Sequence, residues 1–311
     1  MIGRKPLHLT PERYPLFCQW EITCRCNLHC VMCYTDCFNT PERIRQELTL
    51  PEIVRIMDEI QEAGCLELCL TGGEPLARKD FLDIYAYAKQ KGFLLTVFTN
   101  GTLITEDIAD RLAALPPHRI EISLHGMRED TFERITQGKG SFSRCLQAIR
   151  LLLERRLPLL LKTTAMTLNK DEILEIKKFV RSLGPVGYKL GERMRLTLEG
   201  SEAPGRFVLT DEELADIEQQ DPELWTEACR KSSEAKPVCE SGKRSFHIDA
   251  YGQLQLCSGN RTQSYDLRRG SFQEGFYRFL PQFPCPNKAL APEMIRIDTA
   301  QNGKAQVAVH D

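Results

Sequence analysis

Long apolar runs are missing from this sequence. Its greasiest stretches, residues 151–153 and 157–161, are broken by Glu154, Arg155, Arg156 and Pro158, well short of the roughly 20 apolar residues of a membrane-crossing helix. A secretory signal is missing too, because Arg4 and Lys5 stand near the start but no apolar segment follows them. There is no excess of one charge sign: 41 basic against 43 acidic residues leave a net charge of −2. That gives no electrostatic pull toward nucleic acid or an anionic membrane. Internal sequence repeats are absent. At 311 residues and 42% hydrophobic content, the chain can still build a real core, as one large domain with an appendage or as two.

Cysteine is abundant, with 13 residues. A secreted disulfide scaffold would be short, with evenly distributed pairs. Here the count is odd and the thiols bunch at 18–37 and again at 229–285. Metal binding in a reducing cytoplasm fits that distribution better. Cys65, Cys69 and Cys145 fall in apolar strand or helix patterns and read as small buried hydrophobes. Cys18 and Cys24 read as buried thiols beside the first group, and Cys37 as a candidate functional thiol.

The densest group is Cys26-x3-Cys30-x2-Cys33. Soft thiolates select zinc or iron–sulfur clusters over hard cations. A four-iron cubane needs four ligands and this loop supplies three, which leaves one iron open to a ligand that is not protein.

Apolar periodicity places this loop in an α/β frame. Strand patterns at 17–23, 66–70, 94–98, 120–124, 159–165 and 188–198 alternate with helical spacings such as Ile53, Ile56, Met57 and Ile60. Six strands and five helices predict a parallel sheet, either singly or doubly wound or curled into a partial (β/α)6 TIM barrel, and the barrel is the expected fold. The expected layout is an N-terminal extension at 1–15, the barrel at 16–200, a connector with a helix at 201–236, a small domain at 237–290 and a tail at 291–311. The small domain holds a hairpin: apolar positions alternate on both sides of Gly252.

In such barrels the loops at the C-terminal strand ends build the site. Each distinctive motif falls there: the cysteine loop after strand one, Thr71-Gly72-Gly73-Glu74-Pro75 after strand two, Thr99-Asn100-Gly101 after strand three, and Ser123-Leu124-His125-Gly126 after strand four. The glycines permit backbone conformations and approaches that a Cβ would block. Glu74 can accept hydrogen bonds from an amine. Each of these loops could equally be a plain turn, and their convergence on one rim is what favours a site.

The cysteine spacing followed by Thr-Gly-Gly-Glu-Pro resembles the radical S-adenosylmethionine (SAM) superfamily over residues 16–200. The stretches 122–126, 132–134 and 138–142 are similar to its peptide-modifying branch, which usually has Asp where His125 stands. The resemblance implies that Cys26, Cys30 and Cys33 hold a [4Fe-4S] cluster whose open iron chelates SAM. It also implies that Glu74, with the Gly73 backbone, binds the SAM amino group, that Ser123 contacts the ribose and Arg134 the carboxylate, and that Met32 lies near the adenine. Gly72 and Asn100 complete the expected cofactor-binding set, and Glu74 and Cys37 are the candidate catalytic residues.

Cys239 and Cys257, spaced C-x12-G-x4-C around the hairpin, resemble the Twitch and SPASM auxiliary-cluster domains. By that resemblance one auxiliary iron–sulfur cluster is held by Cys239, Cys257 and Cys285, with Cys229 or an open position as the fourth. A structural zinc site with three thiolates and His247 is the alternative. The leading function is a radical SAM enzyme that modifies a ribosomally made peptide by crosslinking, epimerisation or backbone splicing. Strand one begins by residue 17, so leader recognition is expected from a small separate partner, and electrons from a flavodoxin or ferredoxin. Two alternatives stand: a radical SAM enzyme for a nucleotide, sugar or tetrapyrrole, and an iron–sulfur electron carrier without chemistry of its own.

Overall fold

The structure, a computed structural model, describes residues 13–35, 39–191, 194–233 and 241–283. β1 (Phe17–Glu21) leads through the cysteine loop to α1 (Pro41–Gln46) and α2 (Leu50–Glu62). Four strand-and-helix units follow: β2 (Glu67–Thr71) with α3 (Phe81–Gln90), β3 (Leu94–Thr99) with α4 (Glu106–Ala114), β4 (Arg119–Ser123) with α5 (Glu129–Thr136) and α6 (Ser141–Glu154), and β5 (Leu159–Thr164) with α7 (Ile173–Ser182). β6 (Gly187–Gly191) closes the series. Beyond it lie α8 (Asp211–Gln219), α9 (Pro222–Ser233), β7 (Ser245–Ile248), β8 (Gln253–Cys257) and β9 (Asn260–Asp266).

Strands β1 to β6 form a parallel sheet in sequence order, the α/β partial barrel that the periodicity predicts. Local chemistry explains the helix ends. At the start of α2 the Glu52 carboxylate reaches back to the Thr49 N–H at 2.7 Å, satisfying a donor that the helix cannot. After its end the chain turns at Gly64, whose φ of +95° other residues resist.

The strands' two-residue period separates the core from the barrel interior. Leu68, Leu70, Leu95, Val97, Ile120, Ile122 and Leu161 point outward and are buried under the helices, with Ile53, Ile56, Met57 and Ile60 of α2 among their neighbours. The alternate positions face inward and are polar or aromatic: Gln19, Thr71, Phe98, Ser123, Lys162 and Thr164. This face must be solvated or filled by a ligand. Cys18, Cys65 and Cys145 sit in the apolar core as expected, whereas Cys69, equally buried, takes the inward phase of β2 beside Lys162 and Glu121; burial pushes the Cys65, Cys69 and Cys145 thiols up to about 12.

Three features depart from the sequence expectation. The sixth strand ends at Gly191, and residues 194–198 continue without strand pairing. The connector contains two helices, α8 and α9. The hairpin gains a third strand, β9, and β7 pairs in parallel with β1, so β7, β8 and β9 continue the barrel sheet in the order β6-β5-β4-β3-β2-β1-β7-β8-β9.

Candidate active site

Cys26, Cys30 and Cys33 are half-buried and line one cavity of about 450 Å³ at the C-terminal rim of the barrel, within the size range of small-molecule sites. Their loop is pinned from three sides. Thr23 Oγ1 and the Cys24 N–H donate to Glu47 Oε1 at 2.7 and 2.9 Å, which anchors its base. The His29 and Val31 N–H groups donate to Thr136 and Ile135 carbonyls at 3.1 and 2.9 Å, which ties its middle to the end of α5. The Cys33 N–H donates to the Cys30 carbonyl at 2.9 Å in a tight turn, and both residues line the cavity. Burial first, then the neighbouring Cys33 and Cys26, push the Cys30 thiol well above its ordinary range. Cys30 is therefore held as the thiol until a cation arrives.

The double glycine explains how the second loop meets the first. A Cβ on Gly72 would lie 2.2 Å from the Thr23 carbonyl oxygen, and one on Gly73 would lie 2.4 Å from that of Arg25. Gly73 and Glu74 N–H groups donate to those same two carbonyls at 3.0 and 2.7 Å. The glycines thus dock the loop onto the base of the cysteine loop, and both line the cavity.

Glu74 takes a different place from the one the motif suggests. It is fully buried and is not among the cavity-lining residues. Its Oε1 accepts from Thr99 Oγ1 at 2.7 Å and the Leu76 N–H at 3.1 Å, and its Oε2 accepts from the Asn100 N–H at 2.7 Å. Burial pushes the carboxyl up to about 7, against these hydrogen bonds, which favour the anion. In this structure it is a brace between the β2 and β3 loops. Asn100 carries that brace to the site: its Nδ2 donates to Asn27 Oδ1 at 3.0 Å and lies 3.8 Å from Cys26 Sγ.

Met32, Asn100 and Ser123 line the cavity with the cysteines, as does His125. The Thr164 N–H donates to His125 Nδ1 at 3.2 Å, and burial lowers the imidazole to about 4, so the ring is neutral. With Nδ1 accepting, Nε2 carries the hydrogen. Arg134 is not brought to the cavity. On α5 the residues Thr131, Phe132, Ile135 and Thr136 face inward; the helical phase turns Arg134 outward, where it donates to the Leu168 carbonyl at 3.3 Å.

Of the second cysteine group, Cys257 ends β8 and is half-buried, and Cys229 is exposed on α9. Cys37, Cys239 and Cys285 lie outside the described residues. His247 is committed elsewhere: its Nδ1 pairs with Gln255 Oε1 at 2.9 Å and its Nε2 lies 3.4 Å from Glu21 Oε1, which removes the expected histidine from a zinc site. Among the described residues no three His, Cys, Asp or Glu side chains converge on a single ion. The three cysteines that line the cavity supply the soft thiolate donors that an iron–sulfur cluster takes.

Sequence reasoning did not single out Gln19, Phe98, Lys162, Arg195 and Ser258, all of which line the cavity. Strand alternation could have flagged the first three, since they share the inward phase. Arg195 and Ser258 arrive from segments beyond the barrel strands and leave no local signal.

An α/β barrel with three cysteines and a glycine cradle at its rim defines a class, and the sequence comparison agrees with it. The Radical SAM superfamily pattern matches residues 20–180, and the chain belongs to that superfamily. An AdoMet-dependent heme synthase of Methanosarcina barkeri is 34% identical over 174 residues, 56% of this chain and 49% of that protein. The sporulation killing factor maturation protein SkfB of Bacillus subtilis is 24% identical over 267 residues, 81% of this chain and 63% of the relative. The chain thus spans about half the length of the first relative and under two thirds of the second. Among solved structures, Streptococcus suis SuiB bound to precursor peptide SuiA shares the fold, with a TM-score of 0.67 at 14% identity over 85% of this chain and 65% of that one. Among the described residues no helix is long and apolar enough to cross a membrane.

Proposed function

We propose that this radical SAM enzyme modifies a ribosomally synthesised peptide, with a small separate protein delivering the leader and a flavodoxin or ferredoxin supplying electrons in the cytoplasm. The observation that carries the reading is the single cavity in which Cys26, Cys30 and Cys33 face the Gly72–Gly73 cradle, Asn100, Ser123 and His125. The superfamily implies a [4Fe-4S] cluster and SAM, and the three thiols are the residues that would hold the cluster. When bound together, these groups supply reductive cleavage of the sulfonium and a carbon radical that abstracts hydrogen. The protein's part is placement. Glu74 fixes Asn100, the glycines seat the loop, and Met32, Phe98 and Phe132 give the cavity apolar walls that limit water. SkfB, a maturation protein whose match covers most of this chain, supports the peptide class.

A second reading keeps the chemistry and changes the substrate to a tetrapyrrole, favoured by the higher identity of the heme synthase over the barrel. The auxiliary cluster on Cys239, Cys257 and Cys285, with Cys229 or an open fourth position, belongs to both readings as a proposal. The test is anaerobic turnover of the reconstituted chain with SAM and dithionite. Methionine and 5′-deoxyadenosine must appear. Mass spectrometry then scores a candidate precursor peptide, with its partner protein, against an iron coproporphyrin. Modified peptide supports the first reading, modified porphyrin the second, and absence of SAM cleavage with a fully loaded cluster defeats both.

A further inference from the structure

The cavity wall carries a cation that no carboxylate among the described residues neutralises. Arg195, after β6, lines the cavity half-buried. Its Nη1 donates to Ser258 Oγ at 3.1 Å, and its guanidinium lies 5.6 Å from the centre of the Tyr34 ring. Both partners are themselves cavity residues. The side chain is therefore held in one pose, with its remaining N–H groups unspent on any described residue.

The neighbouring cations are matched. Lys162 pairs with Glu121, and Arg261, which also lies over Tyr34 at 5.8 Å, pairs with Glu21. No Asp or Glu is among the described residues that line the cavity. A ligand that fills this space strips water from Arg195, and a desolvated guanidinium is costly unless the ligand brings an anion. A carboxylate matches the guanidinium fork and returns charge-assisted hydrogen bonds.

We propose that Arg195, oriented by Ser258 and Tyr34, recognises a carboxylate of the substrate. The inference rests on this cavity being the reaction cavity. In a peptide the group is an acidic side chain or the C-terminus; in a tetrapyrrole it is a propionate.

The test uses the full chain, anaerobically reconstituted, and phenylglyoxal, which modifies accessible guanidiniums. Peptide mapping follows Arg195, with Glu21-paired Arg261 as the internal reference. The probes are acetyl-glutamate amide, acetyl-glutamine amide, coproporphyrin III and SAM. We expect the glutamate probe to protect Arg195 and the glutamine probe to protect it roughly tenfold less well, the ratio set by one charge-assisted contact. Protection by coproporphyrin III alone keeps the assignment of Arg195 while defeating the peptide reading. Equal protection by acid and amide overturns the proposal, as does an Arg195 inert to the reagent. Protection by SAM alone overturns it as well, by giving Arg195 to the cofactor. Ser258→Ala should speed modification of Arg195 and weaken protection by the glutamate probe; no change in either overturns the proposed pose.

Discussion

Glu21 at the end of β1 accepts two hydrogen bonds, at 2.8 and 2.6 Å, from the guanidinium of Arg261 on β9, 240 positions later. The carboxylate is 1% exposed and also accepts from the Tyr34 hydroxyl at 3.2 Å. Burial works against its charge, yet His247 and Arg261 together hold it well below the usual carboxylate range. One ion pair thus joins the root of the cysteine loop to the far end of the extension.

Breaking that pair from one side leaves a buried charge. Arg261→Leu should destabilise the fold by about 3–5 kcal/mol, and the double variant with Glu21→Leu should recover most of the loss. Urea unfolding of the wild type, both single variants and the double variant measures the cycle. Equal instability of the double and single variants would show that packing, not charge, was lost.

Gly73 tests the docking of the two loops. Gly73→Ala puts a methyl 2.4 Å from the Arg25 carbonyl oxygen, and the backbone on both sides must move. Displacing a positioned loop by an ångström costs roughly a hundredfold in rate, so SAM cleavage should fall by that order, with a loss of stability of about 1–3 kcal/mol from the overpacked backbone. Cleavage at the wild-type rate would mean the loop accommodates the methyl.

The cysteines predict an iron count. With a barrel cluster and an auxiliary one, the reconstituted wild type should hold about eight irons and Cys257→Ala about four. Cys30→Ala should abolish SAM cleavage, whereas Cys257→Ala should keep uncoupled cleavage and lose product. Colorimetric iron analysis with chromatography of 5′-deoxyadenosine decides both, and a wild type near four irons sinks the auxiliary cluster.

His125 predicts an acid limb. Its pKa falls from an ordinary 6.5 to about 4 on folding because burial disfavours the imidazolium. Between those values the unfolded chain binds a proton that the native chain does not, so stability rises with pH across this window and is lost as pH falls through it. The contribution is about 3 kcal/mol at most. His125→Asn, which keeps an acceptor for the Thr164 N–H, should flatten the profile between pH 4 and 6.5. An unchanged slope would assign the acid limb to carboxylates.

Much of the barrel was legible because its signals are local. Alternating strands, helical spacing and the glycine stop after α2 can each be read within a dozen residues, and they place the cysteine loop and Gly72-Gly73 on one rim. Glu74 shows the limit. Its motif suggests a ligand-facing carboxylate, but the short turn buries it against Thr99 and Asn100, and sequence does not report which way a turn folds its side chain. Arg134 shows another limit: the inward set of α5 turns it away from the cavity, a helical phase that its own short motif does not report. The parallel pairing of β7 with β1, and with it the arrival of Ser258 beside Arg195, depends on contacts between distant segments. Nothing in either segment alone encodes it.

The order of the nine strands puts β1 in a singular position, bonded to β2 on one side and β7 on the other. Its second partner is synthesised long after β1 itself. Until then β1 is an edge strand, presenting free N–H and C=O groups to any extended chain nearby. A chain truncated after β6 keeps that edge permanently. It should therefore self-associate through β1, so that the extension acts as a built-in guard against aggregation as well as part of the cavity wall.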